Sequence, residues 1–118
     1  ELPSWKSAMH LYPVNGKAHE VEAENTAWNN RNSTYSMVIA GVDPDPSKFN
    51  TLKKWATKYW RELNPYSGSA GGYVNFMMDD EGLDRVKSTY GTNYKKLVDI
   101  KRKYDPENLF RLNQNIVP

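Results

Sequence analysis

Residues 33–47 read Ser33-Thr34-Tyr35-Ser36-Met37-Val38-Ile39-Ala40-Gly41-Val42-Asp43-Pro44-Asp45-Pro46-Ser47, and their order decides the fold class. Tyr35, Met37 and Ile39 alternate with Ser36, Val38 and Ala40, the period of two that sends successive side chains to opposite faces of a strand. The Asp-Pro-Asp-Pro run then stops that strand. Asp45 is placed to accept backbone N–H groups as an N-cap, and Pro46 suits the first helical position, where a missing N–H costs nothing. Downstream, Phe49, Leu52, Ala56, Tyr59, Trp60 and Leu63 make one apolar stripe opposite Lys53, Lys54, Lys58 and Arg61. The pattern predicts a strand feeding a helix that ends before Pro65, because the residue preceding a proline is driven out of the α region.

Working outward, Ser7–Val14 is β-compatible and is followed by Asn15-Gly16 and then Lys17–Val21, which predicts a hairpin closed by a type I′ turn. A polar loop covers 22–32. Beyond the helix, Ser67-Gly68-Ser69-Ala70-Gly71-Gly72 reads as a loop, and Tyr73–Met78 as an apolar strand interrupted by Asn75. Asp79-Asp80-Glu81 precedes a short helix through Val86, and Tyr90–Tyr104 predicts another. Asp105-Pro106 breaks that helix and can cap one further turn, leaving Leu109 and Phe110 as anchors and Leu112–Pro118 as an extended tail. The expected fold is α+β: an antiparallel sheet of about four strands with helices packed on one face.

The 118 residues suit one domain, and an aromatic fraction of 13% compensates an apolar fraction of 38%, which argues against disorder. Sixteen basic and fourteen acidic side chains are interspersed, leaving +2, so no concentrated basic face points to nucleic acid. Cysteine is absent, which removes disulfides, thiolate metal sites and cysteine nucleophiles. No apolar run approaches the length of about 18 residues needed to span a membrane, and no membrane partner is expected. The first residue is Glu1 in place of an initiator Met, which suggests a fragment or a processed product.

From Gly71 the pieces Gly-Gly-Tyr-Val-Asn-Phe-Met-Met-Asp, Tyr90-Gly91-Thr92-Asn93-Tyr94, Tyr104-Asp105-Pro106-Glu107-Asn108-Leu109-Phe110 and Asn113-Gln114-Asn115-Ile116 resemble, in order and spacing, the terminal signature of berberine-bridge-enzyme-like flavoproteins. Thr26-Ala27-Trp28 with Arg31-Asn32, the strand and the Asp43–Pro46 turn resemble the upstream substrate-domain region of bacterial members. The resemblance implies a C-terminal fragment of a two-domain flavoprotein, with residues 1–70 part of the substrate domain and 71–118 the terminal segment. It also implies FAD, held mostly by an N-terminal FAD-binding domain that is missing here and is the expected partner, together with a small organic substrate.

The same resemblance implies that Tyr73 and Asn75 lie beside the flavin ring and that Asn113 and Asn115 brace the cofactor side of the tail. As a strand, 73–76 would put Tyr73 and Asn75 on one face and Val74 and Phe76 on the other. Read from residue types alone, Tyr73 fills a core and Asn75 ties down a loop. Many plant and fungal members have a second Tyr at the position of Phe76, whose phenolate is the base; phenylalanine takes no proton, so the catalytic residue is unassigned, with Tyr73 a candidate. Read from residue types alone, Asn113-Gln114-Asn115 is a solvated polar tail.

Other clusters carry bland readings. Asp79, Asp80 and Glu81 fit helix capping better than a cation site, and His10 and His19 lack a third ligand, so no metal is expected. Lys95, Lys96, Lys101, Arg102 and Lys103 are diluted by Asp99 and Asp105, as on a solvated helix face. Asn32-Ser33-Thr34 fits the glycosylation acceptor pattern, which carries no weight without evidence of secretion. The leading expectation is the C-terminal portion of an FAD-dependent oxidoreductase, shaping the substrate pocket, covering the flavin ring and inactive alone. The alternative is a non-catalytic module that binds a small molecule or protein and self-associates as a homodimer through its exposed apolar surface.

Overall fold

A period-two segment needs a partner for its backbone groups, and in this computed structural model, which describes residues 1–68 and 71–118, that partner is the other β-compatible run. Ala8–Pro13 forms β1 and Tyr35–Ala40 forms β2. They pair antiparallel with Ala8 opposite Ala40 and Pro13 opposite Tyr35. Val14 N–H donates to Thr34 O at 2.8 Å and extends the ladder by one step. Among the described residues the sheet has two strands, not four.

Two expected strands are corrected. Lys17–Glu20 is α1, a single helical turn. Gly16 turns at φ 56° and ψ −131°, and Ala18 and His19 N–H groups then bond back to Asn15 and Gly16 carbonyls. The type I′ hairpin does not form because β2 takes the pairing edge of β1. Residues 74–76, expected inside a strand, form a 3₁₀ turn in which Phe76 N–H bonds Tyr73 O and Met77 N–H bonds Val74 O. Local i→i+3 bonds there replace a ladder.

The helix after the Asp-Pro turns forms as predicted. Asp45 accepts the Ser47 N–H at 2.9 Å, Pro46–Lys48 makes a 3₁₀ turn, and α2 runs Phe49–Leu63. Leu52 is its buried residue, and β2 meets it through Gly41, where an added Cβ would stand 3.0 Å from the Leu52 Cβ. Two further helices follow, α3 at Leu83–Tyr90 and α4 at Tyr94–Tyr104.

The chain divides into two compact units, 1–14 with 34–68 and 15–33 with 69–118. The first holds β1, β2 and α2; the second holds α1, α3, α4, the 74–76 turn and the tail. Ser69 and Ala70 of the expected Gly/Ser loop lie outside the described residues. Leu109 and Phe110, expected as anchors, are exposed, at 73% and 78%.

Candidate functional site

The chemistry-bearing side chains gather in the second unit, around a cleft of about 320 Å³. One wall is the 3₁₀ turn, contributing Val74, Asn75 and Met77, with Asp79 just beyond it. The tail supplies Leu112, Asn113 and Gln114 opposite, and Tyr90 from the end of α3 closes the set.

The turn is shaped by its glycines. A Cβ at Gly71 would stand 2.7 Å from Thr89 Cα and 2.8 Å from Ser88 O, so only glycine lets the segment lie this close to α3. The buried Thr89 hydroxyl accepts the Gly72 N–H at 3.0 Å and donates to Arg85 O at 2.9 Å. Glu81 fixes the far end: its carboxylate accepts the Met78 N–H at 2.7 Å and the Arg85 Nε–H at 2.8 Å. The acidic run therefore anchors the turn instead of capping α3, whose N-cap is Gly82 with no side-chain cap bond.

Within the turn, Asn75 Nδ2 donates to the Tyr73 hydroxyl at 2.8 Å. Tyr73 and Phe76 meet edge to face, ring centroids 5.2 Å apart, so the expected opposition of Tyr73 with Asn75 against Phe76 is replaced by a cluster of all three. A 3₁₀ turn places i and i+3 on one side, where a strand would separate them.

The tail is ordered by its amides. Asn113 adopts φ 59°, a left-handed conformation that Asn tolerates better than most residues, and its carbonyl accepts the Asn115 N–H at 3.1 Å. Gln114 Nε2 reaches the turn, donating to Met77 O at 3.3 Å and Met78 O at 3.2 Å. Asn115 Oδ1 is buried without a hydrogen-bond partner among the described residues. Burial pushes the Tyr90 phenol above its ordinary pKa, which favours the protonated O–H form further.

The structure thus brings Asn75 and Asn113 to one cleft, with Tyr73 attached through Asn75, while Asn115, in the tail, is not among the residues that line it. Sequence reasoning passed over Tyr90 and Asp79 as cleft residues and gave Gln114 no separate role. Elsewhere, His10 stacks on Tyr12 in β1 and His19 Nε2 lies 3.0 Å from Ser33 O. Among the described residues no group of three or more His, Asp or Glu side chains is placed to hold a metal ion.

Residues 72–117, which include the turn, α3, α4 and most of the tail, match the family model described as Berberine and berberine like. An FAD-linked oxidoreductase of Dictyostelium discoideum is 32% identical over 98% of this chain and 25% of its own length. Reticuline oxidase of Papaver somniferum is 29% identical over 87% of the chain and 23% of its own length. A solved variant of BBE-like 1 from Physcomitrella patens superposes with a TM-score of 0.77 at 26% identity, covering 93% of this chain and 23% of that one. These findings define the class first: the chain is a relative of FAD-linked oxidoreductases. Within that class its residues 72–117 are similar to the berberine and berberine-like domain, and the chain spans about a quarter of the length of the two curated relatives named above.

The donor set fits a flavin. The isoalloxazine edge carries carbonyl oxygens, ring nitrogens and one N–H, and amides offer both donors and acceptors to such an edge. Asn75 and Asn113 supply amides at the cleft, and Asn115 Oδ1 is an acceptor in need of a donor.

Proposed function

We propose that this chain is the C-terminal part of an FAD-dependent oxidoreductase, in which residues 1–70 belong to the substrate domain and 71–118 form the segment that covers the flavin ring. The observation that carries the reading is the amide-lined cleft between the Tyr73–Met78 turn and the tail, inside the residues that match the family. Its partners are an FAD-binding domain supplied by the remainder of the protein and a small organic substrate. FAD, when bound, supplies the hydride acceptor.

The residues of this chain bind and orient. Asn75 and Asn113 hold the edge of the ring from two sides, and Asn115 adds a bond to the tail. Tyr90, kept protonated, donates to a substrate or cofactor oxygen at the cleft. Phe76 contributes an aromatic wall and no proton transfer, so removal of a substrate hydroxyl proton falls to Tyr73 or to a group outside this chain. The Tyr73 oxygen accepts the Asn75 N–H and keeps its own O–H for a second partner. The isolated chain is catalytically inactive, because it holds one side of the cofactor site.

The test is to express the natural reading frame beside residues 1–118 and compare intact mass and visible absorbance. A yellow long form with flavin bands and a colourless short form support the proposal. A natural frame confined to these residues that binds no flavin overturns it and favours a non-catalytic, self-associating binding module.

A further inference from the structure

The side chain that joins the two walls of the cleft is Gln114. Its amide nitrogen bridges two consecutive carbonyls, Met77 O and Met78 O, at the exit of the turn that carries Asn75. It is half-buried, whereas its neighbour Asn113 is exposed and bends the backbone at φ 59°. The other bonds at this end are the two i→i+3 contacts of Phe76 and Met77, the Glu81 carboxylate on the Met78 N–H, the Glu81 N–H on the Met78 carbonyl at 3.3 Å and the Thr89 hydroxyl on Met77 Sδ at 3.3 Å, and none of these reaches the tail. Without Gln114, the Met77 and Met78 carbonyls lose the donor that ties them to the tail, and the spacing of Asn75 from Asn113 is no longer set.

We infer that Gln114 is a positioning residue that fixes the Tyr73–Met78 turn against the tail, so that Asn75 and Asn113 face one planar ring at a set separation; its effect on flavin rests on the function proposed above. Two substitutions separate shape from bonding. Gln114→Leu keeps the bulk and removes the donors, while Gln114→Glu directs carboxylate oxygens at two carbonyls, which repels where the amide attracts.

In the protein expressed from its full reading frame, two measurements on each variant decide. The first is amide hydrogen exchange at Phe76 and Met77, which needs no flavin. Exchange faster by about fivefold in Gln114→Leu and by more in Gln114→Glu is expected, from loss of roughly one net hydrogen bond. The second is the position of the flavin absorption bands and the FAD dissociation constant, with bands shifted and binding about tenfold weaker, the effect of roughly 1.4 kcal/mol. A long form that binds no FAD removes the proposed function, yet the exchange measurement still tests the clamp. Unchanged exchange in folded Gln114→Leu overturns the inference outright. Faster exchange with unchanged flavin bands and affinity shows a structural tie only and overturns the positioning role.

Discussion

The two units are built by different means. In the first, the β1–β2 ladder and the Leu52 contact with Gly41 hold the structure, joined at one backbone position, Val42, by the Ser4 hydroxyl on its carbonyl and the buried Ser7 hydroxyl on its N–H at 3.1 Å. In the second, side chains satisfy backbone groups across long sequence separations. Asn93 Nδ2 donates to Ala23 O at 2.7 Å, Thr26 O at 3.0 Å and Ala27 O at 3.4 Å, Thr89 holds Gly72, and Gln114 holds Met77 and Met78; locally, Asp105 receives the Leu109 and Phe110 N–H groups at 2.7 and 3.0 Å. A unit made of turns leaves many peptide groups without a regular partner, and polar side chains at fixed positions supply the deficit. The proposed cofactor cleft lies in the unit whose backbone is held this way.

The comparison breaks first at Leu52. Leu52→Ala should destabilise the first unit by about 3 kcal/mol, through lost burial and a residual cavity under β2, as chemical denaturation would report. A change below about 1 kcal/mol would mean that burial of this side chain contributes little and that the ladder alone suffices. The matching substitution in the second unit is Asn93→Ala, with an expected cost of about 2 kcal/mol because three carbonyls lose a donor at a site only 4% exposed. The two are distinguishable by site: hydrogen exchange should rise in 23–27 for Asn93→Ala and in β2 for Leu52→Ala.

That division also explains what the sequence made legible. The alternation at Tyr35–Ala40 and the Asp45-Pro46 start signal led directly to β2 and α2, because periodicity and capping are written in neighbouring residues. The Tyr73–Met78 segment has the apolar run of a strand, yet it lacks a pairing partner and closes into i→i+3 bonds. Lys17–Glu20 likewise has the composition of a hairpin arm, but β2 holds the edge it would need. Long-range clamps leave no local pattern. The partners of Asn93 and Gln114 lie dozens of residues away, so the resemblance singled out Asn75 and Asn113, which line one cleft, while the bonds of Gln114 to the turn had no local sign.

A finer test uses acid, because both units carry carboxylates held below their ordinary range, Asp43 and Asp45 in the first and Asp105 in the second. In the first, Asp43 is lowered by the Asp45 N–H and then by the Lys48 ammonium at 2.9 Å. In the second, Asp105 is lowered by the Lys101 ammonium and by the Leu109 and Phe110 N–H groups. A folded-state pKa below 3.8 means that the unfolded chain takes up protons first as pH falls. The stabilisation is therefore complete above the ordinary carboxylate range and is lost as pH drops from there through the depressed folded value. Asp105→Asn should flatten the acid limb of stability in the second unit while leaving the first unit's intact, and Asp43→Asn should do the reverse. Equal flattening of both limbs by either substitution would show that the units unfold as one cooperative block.

The smallest effect belongs to the exposed ion pairs, which occur in both units and should separate neither. Lys58 with Glu62 on α2, at 3.9 Å, and Lys95 with Asp99 on α4, at 3.0 Å, join side chains that are more than half exposed. Coulomb attraction between such groups is weakened by water and salt and is opposed by the entropy of holding two long side chains together. Lys58→Ala and Lys95→Ala should each change stability by less than about 0.5 kcal/mol, and the difference should shrink further in high salt. A larger, salt-resistant loss at Lys95 alone would mean that the lysine stem covers apolar surface on α4. Packing on α4 would then add to that of Val86, buried on α3, beside backbone satisfaction in the second unit, and the contrast between the units would narrow.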